Sequence, residues 1–207
     1  MSELRPHAWI RPDSLRLQIA FLSSSDSKRC PTHDALVKLH QEAGRDATEA
    51  SSIAAEGDRL LLFGWRRADL DRDGRAVHLT LIGAPGPTWH QSTRLWPLAQ
   101  AAGLVFVPSP QKGYEGYGQD QAQHVRPYLE AGFPLAVAYL RSGRPEWEAE
   151  ELTELLGLQG AAVFTARRDT GAGLRAALDH VVTDALKAFN EGRVQHAGLV
   201  DVPALPS

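Results

Sequence analysis

The feature that most constrains this 207-residue chain is an alternation of short apolar runs with helix-patterned segments, sustained almost to its end. Leu15 to Leu22 reads as a strand, Ser23 to Thr32 as a polar loop, and Ala35, Leu36 and Leu39 fall at helical spacing. Gly44 to Gly57 has no clear period and is expected to be a loop or weak helix. Arg59 to Trp65 and Ala76 to Ile82 are two further strands, and Asp73-Gly74 between them is a turn dipeptide that closes antiparallel hairpins. A helix over Ser92 to Ala102 leads to Gly103 to Val107, an apolar run typical of a buried strand. A Tyr- and Gly-rich loop (Pro108 to Gln119), a helix (Asp120 to Ala131) and another buried strand (Pro134 to Leu140) follow.

Pro145 is expected to open a helix whose early turns carry Glu146, Glu148, Glu150 and Glu151, where the dipole favours acids. After a last strand at Ala161 to Phe164, a long helix begins near Thr170. Its stripe of Leu174, Leu178, Val181, Val182, Ala185, Leu186 and Phe189 has a 3.6-residue period, and Asn190 and Gly192 stop it. The expectation is an α/β, three-layer fold, with a mostly parallel sheet of about six strands including one antiparallel strand. Residues 1–14 would be an N-terminal extension, 15–190 the domain, and 191–207 a flexible tail. Ligands of such sheets bind beyond the carboxyl ends of the strands.

Composition narrows the functional classes. Lys and Arg number 22 against 25 Asp and Glu, a formal charge of −3, with no basic stripe that would follow a phosphate backbone, so nucleic acid is not the expected partner. No apolar run reaches the ~20 residues of a membrane span, and the first residues lack the apolar segment of a secretion signal. The single cysteine, Cys30, excludes an internal disulfide framework and a multi-cysteine zinc site. A cytoplasmic protein is expected.

Three segments, in order, carry a resemblance: Gly83-Ala84-Pro85-Gly86-Pro87-Thr88-Trp89-His90 before a helix, Gly103-Leu104-Val105-Phe106-Val107 after it, and Thr170-Gly171-Ala172-Gly173-Leu174 opening the last helix. The chain from about Leu15 to Phe189 resembles the bacterial Ras-like small GTPases of the MglA type. The resemblance implies a small-GTPase (P-loop NTPase-like) fold, a Pro-Gly-Gln turn at the second switch, and Roadblock-type (longin-related) protein partners.

The nucleotide chemistry departs from that pattern. A P-loop brings backbone N–H groups to phosphate oxygens through glycines, and adds a Lys and a Ser or Thr for the phosphates and Mg²⁺. The corresponding loop runs from Ser23 through Ser25 to Cys30, with Lys28 at the last glycine, Arg29 at the lysine and Cys30 at the Mg²⁺ hydroxyl. A thiol is a poor ligand for so hard a cation. Gly83 opens the turn-rich loop before the second switch, among the degenerate nucleotide-loop positions, and Pro87 replaces the water-orienting Gln. The guanine-reading Asn-Lys-x-Asp is replaced by Leu140-Arg141-Ser142-Gly143, so Leu140, Arg141 and Gly143 provide no carboxylate for the base edge. Thr165-Ala166 is similar to the family's last base-contact motif.

The sequence therefore points to a non-catalytic pseudo-GTPase without a cofactor or metal, acting by binding protein. The expected partner face comprises Trp65, Arg66 and Arg67, together with Trp89, His90 and Trp96, because aromatics and arginines concentrate in interface cores. The alternative is a divergent nucleotide-binding GTPase or sensor in which Arg29 grips phosphate bidentately. Asp69-x-Asp71-x-Asp73-Gly74 matches the opening of an EF-hand loop, but Thr80 stands at its twelfth position, so it reads as a solvated turn. Cys30 beside Lys28 and Arg29 reads as loop filling rather than a nucleophile. The Gly113 to Gly118 run reads as a surface loop, since its glycine spacing is not the dinucleotide fingerprint.

Overall fold

The computed structural model describes residues 7–23, 31–55, 58–72, 74–84, 98, 100–109, 115–141, 146–193 and 195–196. The strands are β1 (His7–Ile10), β2 (Ser14–Ser23), β3 (Ser51–Ala55), β4 (Asp58–Arg66), β5 (Ala76–Ala84), β6 (Gly103–Val107), β7 (Leu135–Arg141), β8 (Ala162–Arg167) and β9 (Gln195–His196). The helices are α1 (Pro31–Ala43), α2 (Glu115–Glu130), α3 (Ala149–Leu155) and α4 (Leu174–Asn190).

The main sheet runs β3-β4-β5-β2-β6-β7-β8. β5, β2, β6, β7 and β8 are mutually parallel, and β4 is antiparallel to β5. Helices cover both faces, giving the expected three-layer α/β architecture, compatible with a P-loop or Ras-like fold. β2 lies at its centre, and its side chains alternate between two cores. Leu15, Leu17, Ile19 and Phe21 pack with Leu36 and Leu39 of α1 and Leu178 and Val181 of α4. Ala20 and Leu22 pack with Phe106, with Val125 of α2 and with Leu152 of α3. Every position of β6 is buried, as its uninterrupted apolar run requires.

Several boundaries differ from the sequence reading. The sheet has nine strands among the described residues rather than about six. Within Gly44 to Gly57 lies a 3₁₀ turn, Gly44–Asp46, and then β3, whose Ser-Ser-Ile-Ala-Ala carries little strand propensity and is held by antiparallel pairing to β4. α2 already begins at Glu115, inside the segment read as a loop. α3 begins at Ala149 rather than at Pro145, which lies outside the described residues. The Tyr139 hydroxyl donates to the Trp147 carbonyl, and Arg141 pairs with Glu148, tying this stretch to β7 before the helix starts. Glu148 and Glu151 then form a reciprocal capping box. β1 pairs antiparallel with β2, and β9, within the segment read as a flexible tail, pairs parallel with β1. Most of the expected Ser92 to Ala102 helix lies outside the described residues.

Two expected features stand as read. The predicted stripe of α4 is buried from Leu174 to Leu186. The hairpin tip is closed by reciprocal backbone hydrogen bonds between Arg72 and Arg75, of 3.2 and 2.8 Å.

α4 starts from Gly173, whose φ of +93° is left-handed. A Cβ there would stand 2.3 Å from the Thr165 carbonyl oxygen, so both backbone conformation and space demand glycine. Gly173→Ala should cost about 3 kcal/mol, joining the left-handed penalty to a backbone clash. Gly192→Ala, left-handed but open on all sides, should cost about 1 kcal/mol. Urea midpoints of the two variants check the difference.

Candidate functional site

β2 has β5 on one side and β6 on the other, and the chain reverses its direction of winding there. That is the topological switch point, where a sheet of this kind opens a crevice beyond its carboxyl ends. The strand ends meeting there are Ser23, Gly83-Ala84 and Val107, with Leu140-Arg141 and Ala166-Arg167 further along the sheet. Ser25, Lys28, Arg29, Cys30, Pro87, Trp89, His90, Trp96 and Gly143 lie outside the described residues.

At the end of β5 the helix α1 packs close against the strand. A Cβ on Gly83 would fall 2.5 Å from Leu36 Cδ1 and 2.6 Å from Thr32 Cγ2, so α1 occupies the place of a side chain on β5. Thr32 is buried, and its hydroxyl has no hydrogen-bond partner. Arg168, just past β8, reaches back to the first turn of α1 and donates from Nε to Asp34 Oδ2 at 2.8 Å. The turn before α4 presses on α1 as well, since a Cβ on Gly171 would meet Lys38 Cβ at 2.7 Å. Leu140 is buried, while Arg141 is exposed, donates to Glu148 at 2.9 Å and lies 5.8 Å from the Tyr139 ring centre. Thr165 and Ala166 do not follow the last strand as expected; they belong to β8, with Ala166 fully buried.

Of the expected partner face, Trp65, Arg66 and Arg67 are among the described residues. Because β4 is antiparallel to β5, Trp65 lies beside Leu79 and Arg66 beside His78, at the amino end of the parallel strands. β5 itself runs on to Ala84, six residues beyond His78 and about 20 Å at strand rise. Trp65 is only 4% exposed and belongs to the core against α1 and α4. Arg67 is 3% exposed and works as a strut. It holds Asp69 bidentately at 2.9 and 2.7 Å and Asp179 of α4 at 2.7 Å.

Arg175 extends this network to Asp179 at 3.0 Å and Glu42 at 3.3 Å. Trp65 lies beneath both guanidinium groups, 5.2 Å from Arg67 and 4.6 Å from Arg175. Arg66 faces the other side of the sheet, where Asp71 takes both its ends at 2.5 Å. Two carboxylates of the EF-hand-like run are thus engaged by arginines, Asp69 by Arg67 and Asp71 by Arg66, with the Val77 N–H also donating to Asp71, while Asp73 lies outside the described residues. Among the described residues no group of three or more His, Cys, Asp or Glu is placed to hold a metal ion, and no helix is long and apolar enough to cross a membrane.

No residue pattern signals the contacts between Arg67 and Asp179 or between Arg168 and Asp34, which join residues more than a hundred positions apart. Arg16 did leave a trace, as a charge among the apolar residues of β2. No protein-family model matches the chain, and no curated protein matches it in sequence.

Trp65→Ala should cost about 3–5 kcal/mol in a denaturant titration, the loss expected for emptying a buried tryptophan site. The hydrogen bonds from Arg67, opposed by partial desolvation, lower the Asp69 pKa from 3.8 to about 2. The folded pKa is the depressed one, so its contribution is full above the ordinary carboxylate range and is lost as pH falls from about 4 to about 2. Asp69 remains 57% exposed, which keeps the effect small. Asp69→Asn should flatten that part of a plot of urea midpoint against pH.

Proposed function

We propose that this chain is a non-catalytic, Ras-like pseudo-GTPase of the MglA type that acts as a protein-interaction or regulatory module in the cytoplasm. The observation that carries the reading is Gly83. At the switch-point end of β5 it offers no side-chain oxygen to a cation, and Thr32 and Leu36 already fill the space a carboxylate would need. The replacements at Lys28, Arg29, Cys30 and Pro87, and the missing carboxylate after Leu140, agree with it.

The partner surface in this reading is the loop after β5, with Trp89 and His90, continuing to Trp96. Trp65 and Arg67 are assigned to the core instead. Signalling relatives order such loops with a γ-phosphate; here Pro85 and Pro87 restrict the backbone without one. A Roadblock-type partner, and a role in polarity, motility or signalling, follow from the resemblance.

One observation favours a nucleotide sensor as a second reading: the buried, unpartnered hydroxyl of Thr32 in the first turn of α1. Calorimetry with GTP, GDP and ATP in the presence of Mg²⁺ separates the two. The pseudo-GTPase predicts no heat of binding up to about 1 mM ligand, a concentration that would reveal interactions stronger than about 4 kcal/mol. It also predicts that Thr32→Val raises stability by about 1 kcal/mol, by removing an unsatisfied buried hydroxyl. Saturable nucleotide binding that Thr32→Val abolishes would put the sensor first.

A further inference from the structure

We infer that the amino end of the sheet carries a binding site for a small oxyanion, a phosphate or carboxylate group, held by Arg16 with His78 beside it. Register places the components. Trp9 of β1 lies opposite Arg16 of β2, Arg16 beside His78 of β5, and His78 opposite Arg66 of β4. Directly paired residues share a face and stand about 5 Å apart, so these four side chains form one row across four strands. The row is on the face opposite Trp65 and Arg67, and at the opposite end of the strands from the switch-point crevice.

The charges in the row are unequally balanced. Arg66 is neutralised by its bidentate pair with Asp71. Arg16 is half-buried, its Nε is fully buried, and that N–H has no hydrogen-bond partner. Among the described residues no carboxylate pairs with Arg16. A guanidinium stays ionised at any physiological pH. A partly desolvated one without an acid opposite is therefore costly, and an oxyanion bound end-on across the two Nη groups, the accessible end of the guanidinium, offsets the cost with two charge-assisted hydrogen bonds.

His78 supplies a second, conditional donor. Its own burial, followed by Arg16 and Arg66, holds the imidazole below its usual pKa, while Asp71 and Asp13 oppose them. An anion on Arg16 reverses the local field and draws a proton onto His78, so binding tightens as pH falls.

The test is the titration of the His78 ring protons by NMR in the full chain, assigned with His78→Gln. It is run with inorganic phosphate or acetate, each against chloride at equal ionic strength. The expected result is a saturable upward shift of the His78 pKa with one of the two anions. Phosphate alone identifies a phosphate source, and acetate alone a carboxylate source. In Arg16→Gln the His78 pKa should rise without any anion, because a repelling charge is gone, and the anion response should weaken about tenfold or more. If Arg16→Gln does not fold, Arg16→Lys serves, since it keeps the charge without the planar fork and should give a weakened response. A His78 titration unmoved by both anions, or a shift of the same size when Arg16 is replaced, overturns the site.

Discussion

The parallel pairing of β2 with β5 on one side and β6 on the other is the constraint on which the rest depends. It buries a ten-residue strand on both faces, divides the apolar residues into two cores, and forces the chain to cover the sheet on both sides. It also fixes where the ends of the strands collect. β5 must be reached through an antiparallel hairpin from β4, which carries Trp65 and its neighbours away from the end where β5 delivers the following loop.

At that end the packing of α1 is the second determinant. Without a side chain on Gly83, the first turns of α1 approach β5 closely enough for Thr32 and Leu36 to take its place. The Arg168 to Asp34 pair and the pressure of Gly171 on Lys38 then fasten the β8 to α4 turn to the same helix. Contacts within the chain thus brace the elements around the crevice. In the proposed reading they replace the bonds a nucleotide would make, and binding of a protein partner needs no preceding chemical step.

Most of the architecture was legible in the sequence because buried parallel strands and an amphipathic closing helix leave strong periodic signals, as in Gly103 to Val107 and Leu174 to Phe189. β3 and β9 were not, because their residues have little intrinsic preference and pair only where a neighbouring strand offers an edge. The start of α3 was misplaced because Pro145 and the following glutamates look like a helix opening, whereas the tie of Tyr139 to Trp147 keeps that stretch extended. The crevice was legible as a list of replaced residues, but how closely α1 approaches Gly83 depends on three-dimensional packing. Trp65 and Arg67 were read as partner surface because local spacing says nothing of what packs over a strand, and both are buried.

The distribution of arginines separates the two ends further. Arg67, Arg168 and Arg175 each meet carboxylates from another element, so their charge is used in holding helices to the sheet. They contribute through geometry more than energy where their partners are exposed. Arg16 differs in lying within a strand, too far in to be fully hydrated and without an acid opposite. Replacing it with an apolar residue would cost the fold little, since apolar substitutes for buried ions are often neutral or better. A desolvated cation therefore adds little to stability here, and the anion site proposed for it gives the charge a use that the fold does not. On that view, the unused binding capacity of this chain lies at the amino end of the sheet, away from the crevice beyond the carboxyl ends of its strands.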